Sequence, residues 1–277
     1  MSGLRLSAIS FLNTAPLMWD FEHGGTGRDF EIEYTVPSSC AAALAANQAD
    51  IGIIPAFTYA EIPGLSIIPD VAIASKDNVR SILLISKKSI EDVRTVAADT
   101  SSRTSVALLQ VLFAKFLGGE RELRPHPPEL HAMLRQHDAA LLIGDAALQV
   151  PRDAGYQMYD LAHLWHEFTG QAFVFAFWAV RDDALVRRPA GLDLARVFQQ
   201  SRDHGLQPAS IEVIAQEWSP RLGLSQDAIR RYLTENIHYY LDEQSRAGLQ
   251  AFFELSREIG LIPAIPKLSF LAAPDQR

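Results

Sequence analysis

The chain has 277 residues, 48% of them hydrophobic and 21% charged, which excludes disordered, collagen-like and coiled-coil proteins and leaves room for one large or two medium globular domains. Its 25 Lys and Arg against 33 Asp and Glu give a formal charge of −8, and because no basic run is present, nucleic acid and anionic membranes are poor partners. Cys40 is the only cysteine, which excludes an intrachain disulfide and a zinc site built on several cysteines.

The first residues and the apolar runs bear on location. Residues 1–11 contain no basic segment followed by a long apolar one and no small-residue cleavage site, so they do not resemble a secretory signal peptide. The longest apolar runs, such as residues 139–143 and 173–180, are far too short to span a bilayer. We therefore expect a cytoplasmic protein that does not enter a membrane.

The first half of the chain alternates strand-like and helix-like segments, a pattern typical of α/β folds with mostly parallel sheets. Leu4, Leu6 and Ala8 alternate with polar residues and predict a strand. Pro16 predicts the start of the next helix, because proline lacks an N–H that the first turn leaves unpaired. The elements predicted next are strands over 30–36, 50–55 and 65–74, a helix capped by Ser38 or Ser39 that runs to about 46, and a helical turn or two over 56–62.

A second cycle follows the apolar strand predicted over residues 81–86. The elements predicted from Thr95 onwards are strands over 96–98, 140–143 and 173–180 and helices over about 105–116 and 129–135. Beyond Arg181 the apolar spacing becomes helical, over residues 229–241 and again over 249–259. Gly260 and the proline at 263 are typical of a helix stop.

These segments predict two lobes with a ligand cleft between them. Residues 1–94 and 179–277 form the predicted lobe 1, and residues 95–178 form the predicted lobe 2. Two extended segments cross between the lobes, and the C-terminal helices return to the first. Because ligands collect at the carboxyl ends of strands in open α/β sheets, polar residues at those ends are candidates for the cleft.

The hydroxyl-rich loop over residues 99–105 separates a predicted buried strand from a helix. A helix start offers unpaired backbone N–H groups and a positive dipole end, which suit a carboxylate. Ser102, Thr104 and Ser105 are therefore candidate ligand contacts. The alternative is plain N-capping, because Ser and Thr are favoured at helix starts in any protein.

Polar residues after the first strand form a second candidate group. Ser10, Asn13 and Thr14 follow the carboxyl end of that strand, where ligands collect. Asn13 donates and accepts hydrogen bonds but cannot titrate, so alone it would be a weak general base. The alternative for Asn13 is a turn residue that tolerates an unusual backbone conformation.

Three further residues are candidates by position. Ser81 begins an apolar strand, and Arg80 could supply positive charge to an anion, although an exposed arginine is the usual interpretation. Asp145 follows a buried strand and either faces the cleft or caps a helix. The chain contains no Walker loop, dinucleotide-binding glycine motif, nucleophile elbow or zinc-protease motif. We expect neither a metal nor a cofactor.

Six segments resemble, in order along the chain, the chorismate dehydratase family of the futalosine route to menaquinone. The resemblance covers nearly the whole chain, and the C-terminal helices match least distinctively. The six segments are residues 9–17 (ISFLNTAPL), 49–55 (ADIGIIP), 79–87 (VRSILLISK), 99–106 (DTSSRTSV), 140–148 (ALLIGDAAL) and 169–181 (TGQAFVFAFWAVR).

The resemblance implies a two-lobed type II periplasmic-binding-protein-like fold and an enzyme that removes water from chorismate, giving 3-[(1-carboxyvinyl)oxy]benzoate. In that reaction a hydroxyl leaves C4, a proton leaves C3 and the ring becomes aromatic. The family's asparagine falls on Asn13 and its serine on Ser81. Our hypothesis is that these two residues position the leaving hydroxyl and the enolpyruvyl group, whose own carboxylate removes the C3 proton.

Two alternatives accompany this interpretation. In 1,4-dihydroxy-6-naphthoate synthase, a later enzyme of the same route, the resemblance implies a histidine where this chain has Gly144, which favours the dehydratase and makes Gly144 a candidate cleft residue. The other alternative is a non-catalytic binding protein or sensor for a small carboxylate. Residues 54–59 lack a Ser-Ser pair expected from relatives, so substrate contacts there stay open. We expect a monomer or homodimer.

Overall fold

Two five-stranded β-sheets form the framework of the computed structural model, which describes residues 3–189 and 191–272. The strands are β1 (Leu4–Ile9), β2 (Phe30–Thr35), β3 (Ile51–Pro55), β4 (Leu65–Ser75), β5 (Ile82–Ser86), β6 (Thr95–Asp99), β7 (Glu122–His126), β8 (Ala139–Ile143), β9 (Gln157–Asp160) and β10 (Phe173–Arg181). The α-helices are α1 (Trp19–Glu22), α2 (Pro37–Ala45), α3 (Thr104–Lys115), α4 (Leu130–Gln136), α5 (Gly144–Leu148), α6 (Leu161–Thr169), α7 (Leu194–Gly205), α8 (Pro208–Leu222), α9 (Gln226–Arg231) and α10 (Glu243–Glu258).

The first sheet has the strand order β2-β1-β3-β10-β4. β1 pairs in parallel with β2 and β3, whereas β10 runs antiparallel to β3 and β4. The side chains of β10 are buried from Phe173 to Val180, as expected for a strand covered on both faces, whose sequence reads as a continuous apolar run.

The second sheet has the strand order β7-β6-β8-β5-β9. β6 pairs in parallel with β7 and β8, and β5 runs antiparallel to β8 and β9. Both sheets are therefore mixed, and the prediction of mostly parallel sheets is wrong for β5 and β10. Each of these strands enters its sheet from the other lobe, so the helical crossover that makes neighbouring strands parallel does not precede it.

The strand pairing also differs from the predicted lobe boundaries at residues 94/95 and 178/179. β5 pairs with β8 in the second sheet, so the chain first crosses between the lobes over residues 76–81. β10 pairs with β3 and β4 in the first sheet, so the return crossing covers residues 170–172. The sequences of β5 and β10 are so uniformly apolar that each strand could belong to either sheet. Only the long-range pairing with other strands shows to which sheet each one belongs.

Two helix starts differ from the sequence-based expectation. α2 begins at Pro37 without a side-chain cap, so Ser38 and Ser39 lie inside its first turn rather than at its N-cap. The helix predicted to begin at Pro16 is a 3₁₀ segment, Leu12–Met18, with Pro16 inside it. A 3₁₀ start brings residue 13 into the turn directly after β1, next to the end of the strand.

The C-terminal helices pack against the first sheet, with α7 on β4 and α10 on β10. The helix predicted over residues 229–241 ends early, because α9 gives way to a π-helical turn over Tyr232–Asn236. After that turn His238 forms an isolated bridge with Ala74. Gly260, with φ 77°, follows the end of α10 in the left-handed conformation that glycine favours. Within residues 3–189 and 191–272, no helix combines the length and the apolar character that crossing a membrane requires.

Candidate functional site

A cavity lies between the two lobes, where β1, β3 and β8 end. The walls are mainly apolar, with polar groups at Asn13 and along residues 102–105. Lobe 1 contributes Ile9, Phe11, Asn13, Pro37, Pro55, Ile73, Phe175 and Ala176, and lobe 2 contributes Ile82, Ser102, Arg103, Thr104, Ser105, Ile143 and Gly144.

The start of α3 borders this cavity and carries no side-chain cap. Arg103 occupies the N-cap position, and its side chain makes no capping hydrogen bond to the first turn. The backbone N–H groups of that turn have no partner inside the helix, and Ser102 and Ser105 stand beside them in the cavity wall. Of the two interpretations of this loop, the geometry favours anion binding over plain N-capping.

Two of the hydrogen bonds that join the lobes across the cleft use candidate site residues. The Phe57 N–H donates to Thr104 Oγ1 at 3.1 Å, and the Leu12 N–H donates to Asp145 Oδ1 at 3.0 Å. Thr104 and Asp145 were candidates for substrate contact, but each uses its side chain to hold the opposite lobe. Asp145 lies in the first turn of α5 and does not cap it, because Ile143 is the N-cap residue.

Asn13 is half-buried and lines the cavity. Thr14 Oγ1 donates to Asn13 Oδ1 at 3.3 Å. Elsewhere in the first lobe the hydroxyl of the buried Tyr232 donates to Ser81 Oγ at 2.8 Å.

Ser81 itself is fully buried and does not line the cavity, although its neighbour Ile82 does. The backbone carbonyl of Ser81 accepts a hydrogen bond from the Gly144 N–H at 2.8 Å. This contact fixes the start of β5 against the start of α5, so the two candidate positions support the cavity wall together.

Gly144 permits a close approach between α5 and Phe11. Its φ is 58°, a conformation that residues with a Cβ rarely adopt. A Cβ at this position would lie 2.6 Å from the Phe11 ring, which is itself part of the cavity wall. Both the backbone conformation and the packing therefore require glycine here.

Ser10 and Arg80 lie outside the cavity. Ser10 is exposed, and its backbone N–H donates to the Thr35 carbonyl at 3.2 Å. Arg80 lines a separate concavity together with Arg152. Burial, followed by the nearby charge of Arg152, lowers the pKa of Arg80.

The segment over residues 54–59 borders the cavity through Pro55. The hydroxyl of Thr58 donates to the Pro55 carbonyl at 2.7 Å, so it serves the turn itself. This segment therefore contributes an apolar part of the cavity wall and the Phe57 N–H, which donates to Thr104. It does not offer the pair of serine hydroxyls that is expected from relatives.

Three residues of the site were missed in the sequence. Arg103 lies within the hydroxyl-rich loop and forms an ion pair with Glu61 of the other lobe, in which its Nη2 lies 2.9 Å from both carboxylate oxygens. The sequence pattern indicates only a buried strand at Phe175 and only a core position of a helix at Tyr232. Among the residues that the structure describes, no three His, Cys, Asp or Glu side chains cluster closely enough to hold a metal ion.

Asp145 provides a test of the cross-cleft contact through pH. Burial raises the pKa of Asp145 to about 6, partly offset by the hydrogen bond from the Leu12 N–H. An aspartate titrates near pH 4 in an unfolded chain. Between about pH 4 and 6 the Asp145 carboxyl is therefore protonated in the folded state and ionised in the unfolded state. The stabilisation from this group is therefore complete below about pH 4 and is lost as the pH rises through 6.

We expect Asp145→Asn to flatten this pH dependence, because the amide keeps an acceptor for Leu12 without titrating. Urea unfolding between about pH 4 and about pH 7 should find that the wild type loses about 2 kcal/mol relative to the variant. Parallel stability curves for the two proteins would contradict the raised pKa of Asp145.

Comparisons with known proteins agree on the fold and the family. The model of a menaquinone biosynthesis family matches residues 4–258. A chorismate dehydratase of Thermus thermophilus is 30% identical over 262 residues, which cover 88% of this chain and 92% of that protein.

Two solved structures have the same fold. A protein of Archaeoglobus fulgidus superposes with a TM-score of 0.75 at 17% identity, covering 94% of this chain and 98% of that one. The alkanesulfonate-binding protein SsuA from Xanthomonas axonopodis pv. citri, bound to MOPS, has a TM-score of 0.68 at 15% identity, covering 96% and 95% of the two chains. The predicted periplasmic-binding-protein-like fold is confirmed, and since the family model spans most of the sequence, the chain belongs to the menaquinone biosynthesis family.

Proposed function

We propose that this protein is a chorismate dehydratase that converts chorismate to 3-[(1-carboxyvinyl)oxy]benzoate and water. The observation that carries the proposal is the composition of the interlobe cavity: an asparagine and an uncapped helix start face a largely apolar space. The similarity to the Thermus thermophilus enzyme supports the same substrate.

The proposed reaction is an elimination. The C3–H bond breaks and its electron pair becomes the C3–C4 double bond, while the C4–O bond breaks and its pair leaves with the hydroxyl. The departing hydroxyl and the C3 proton together form one molecule of water. Because the ring becomes aromatic, the reaction has a large driving force, and the protein mainly has to orient the substrate and stabilise developing charge.

The cavity walls suit the two halves of chorismate. The first turn of α3 offers backbone N–H groups and a positive dipole end to a carboxylate, and the Ser102 and Ser105 hydroxyls lie beside it. Phe11 and Phe175 supply aromatic surface for the ring. Asn13, at the opposite side of the cavity in lobe 1, contacts the leaving hydroxyl in this proposal.

The proton acceptor comes from the substrate in this proposal. The cavity lining contains amide, hydroxyl and guanidinium groups but no carboxylate or imidazole among the described residues. None of these groups is an effective base near neutral pH. The enolpyruvyl carboxylate of chorismate can reach the C3 proton, which lies on the same ring face as the C4 hydroxyl.

The test is incubation of the purified protein with chorismate, followed by chromatography with mass detection. A product lighter than chorismate by one water that keeps its enolpyruvyl group supports the proposal. Unchanged chorismate contradicts it, and calorimetry on the same sample then distinguishes a protein that binds chorismate without turnover from one that does not bind it.

The second candidate function is non-catalytic binding of a small anion. It is favoured by the shared fold of the alkanesulfonate-binding protein and by the uncapped start of α3. Tight calorimetric binding of chorismate without any product would support it. The cytoplasmic location and the monomeric or homodimeric state stay predictions.

Two neighbouring hydroxyls of α3 should respond differently to removal. Ser105→Ala should raise the KM for chorismate about tenfold and leave stability unchanged, because its hydroxyl faces the cavity in this proposal. Thr104→Val should lower the free energy of unfolding by about 1–3 kcal/mol, since the buried Phe57 N–H then loses its acceptor. Steady-state kinetics and urea unfolding of both variants separate these effects, and an unchanged KM in Ser105→Ala would remove its role.

A further inference from the structure

The 3₁₀ segment Leu12–Met18, which carries Asn13, has no cap of its own. Its N-cap residue is Phe11, whose apolar side chain makes no capping hydrogen bond. The first N–H groups of a helix have no acceptor within it, and Leu12 is fully buried, so water does not serve its N–H. The Leu12 N–H therefore depends on an acceptor from another part of the chain.

Lobe 2 provides this acceptor through the side chain of Asp145. The Leu12 N–H donates to Asp145 Oδ1 at 3.0 Å, and the two residues are 133 positions apart in the sequence. Aspartate is a preferred residue at helix starts, because its carboxylate accepts from the free N–H groups and its charge suits the positive end of the helix. Asp145 thus caps the 3₁₀ segment from the opposite side of the cleft.

The position of Asp145 is fixed within lobe 2. The N–H of its neighbour Gly144 donates to the Ser81 carbonyl at 2.8 Å. Ile143, at the end of β8, pairs with Ile82 of β5. The start of α5 is therefore attached to β5 and to the first crossing segment, and the cap reaches Leu12 from a well-anchored part of lobe 2.

Asp145 acts on the cavity through the backbone of the neighbouring lobe. The cavity wall includes Asn13 and Gly144 but not Asp145, so the carboxylate does not meet the substrate itself. It holds Leu12, the residue directly before Asn13. The turn is short, since the Thr14 N–H donates to the Phe11 carbonyl at 3.0 Å, and a displaced Leu12 N–H therefore moves the backbone of Asn13 with it.

We infer that Asp145 is a positioning residue: by capping the 3₁₀ segment across the cleft, it holds Asn13 at the place from which Asn13 contacts the substrate. This inference rests on the proposed function, because it takes Asn13 as the residue that meets the leaving hydroxyl of chorismate. It also implies that the reacting turn is complete only while the lobes are together, since the cap and the turn belong to different lobes.

A first experiment tests the contact without relying on activity. The chain has four asparagines, at positions 13, 47, 78 and 236, so selective ¹⁵N labelling of asparagine gives a simple spectrum. The Asn13 signals are assigned by their loss in Asn13→Asp. They should shift in Asp145→Ala, which removes the cap, and stay close to the wild type in Asp145→Asn, which removes the charge but keeps an acceptor. Asn13 signals unmoved in Asp145→Ala would overturn the inference.

The matched control for the spectra is Thr104→Val. This variant removes another hydrogen bond that crosses the cleft to a backbone N–H, the one from Phe57 at 3.1 Å. The Asn13 signals should stay as in the wild type, because the 3₁₀ segment keeps its cap. A shift as large as that in Asp145→Ala would show that loss of any contact across the cleft moves Asn13, and the specific role of Asp145 would fall.

A second experiment uses kinetics. Asp145→Ala should lower kcat for chorismate about 10- to 100-fold, the size of effect expected from a misplaced reacting group, with KM within about threefold of the wild type. The double variant Asn13→Ala/Asp145→Ala should be no slower than Asn13→Ala alone, because the amide that Asp145 positions is then absent. A kcat within twofold of the wild type in Asp145→Ala, or losses that multiply in the double variant, would overturn the inference.

Two further variants separate positioning from a loss of folding. Asp145→Asn should restore kcat to within about threefold of the wild type, because its amide oxygen still accepts from the Leu12 N–H. Asp193→Ala removes a carboxylate that caps α7 through the Arg196 N–H at 3.1 Å and should keep wild-type turnover. An Asp145→Asn variant as slow as Asp145→Ala would contradict the capping role even if Asp145→Ala folded poorly in urea unfolding.

The two experiments also separate this inference from the proposed function. A wild-type protein that leaves chorismate unchanged contradicts the dehydratase proposal, whereas the asparagine spectra still report whether Asp145 positions Asn13. An active wild type with an unaffected Asp145→Ala variant contradicts the inference alone.

Discussion

Asn13→Ala should lower the kcat for chorismate dehydration about 100- to 1,000-fold. Asn13 is the amide that lines the cavity from lobe 1, and removing one preorganised hydrogen-bonding group from a polar reaction costs a factor of this size. The substrate carboxylate anchored at α3 is untouched, so KM should change much less than kcat. Steady-state kinetics with product detection by mass measure both constants.

The fold should survive this substitution, because Asn13 is half-buried and sits in a 3₁₀ segment whose other residues keep their contacts. Asn78→Ala is the matched control: Asn78 is an exposed asparagine in the first crossing segment and lies outside the interlobe cavity. Wild-type turnover in Asn13→Ala would remove Asn13 from the reaction, and equal losses in the two variants would indicate a general disturbance.

The strands that enclose the site were predictable from local pattern. The alternation from Leu4 to Ala8 gave β1, and the apolar run over residues 173–180 gave β10 within one residue. The loop before α3 was also predicted, because a hydroxyl-rich stretch between a buried strand and a helical pattern has few other structures. These features depend on neighbours in the sequence, which is why sequence reasoning reached them.

The two edge strands of the second sheet, β7 and β9, were not predicted, for a physical reason. β7 contains Pro125 and exposes most of its residues, and β9 is a short strand of which residue 157 is exposed. Neither has an apolar alternation of its own, because an edge strand is held mainly by backbone pairing with its neighbour. Their existence follows from β6 and β5, to which they pair.

The hydrogen bond between Tyr232 and Ser81 could not be predicted either. Tyr232 follows Ile229 at helical spacing, which is the pattern of a core residue, and its aromatic ring is indeed buried. Only the π-helical turn and the crossing segment bring its hydroxyl to Ser81. The contact joins two parts of the chain that are far apart in the sequence. No local sequence pattern therefore indicates the hydrogen-bond partner of the Tyr232 hydroxyl.

Gly144→Ala should lower kcat/KM for chorismate about 100-fold while the protein still folds. The new Cβ would lie 2.6 Å from the Phe11 ring, and the flexible partner that has to yield is that ring, which lines the cavity. A residue with φ 58° also bears a strain of about 1–2 kcal/mol once it has a Cβ. Kinetics and urea unfolding measure the two consequences.

Gly223→Ala separates strain from obstruction of the cavity. Gly223 has φ 67°, but no atom lies within 4 Å of the position of its Cβ, so this variant carries the strain alone. It should lose stability by the same 1–2 kcal/mol and keep its turnover. If Gly144→Ala turned over chorismate as fast as Gly223→Ala, the Phe11 ring would not limit the cavity. If it is slower, a histidine at this position, as implied for the naphthoate synthase, requires a different placement of Phe11.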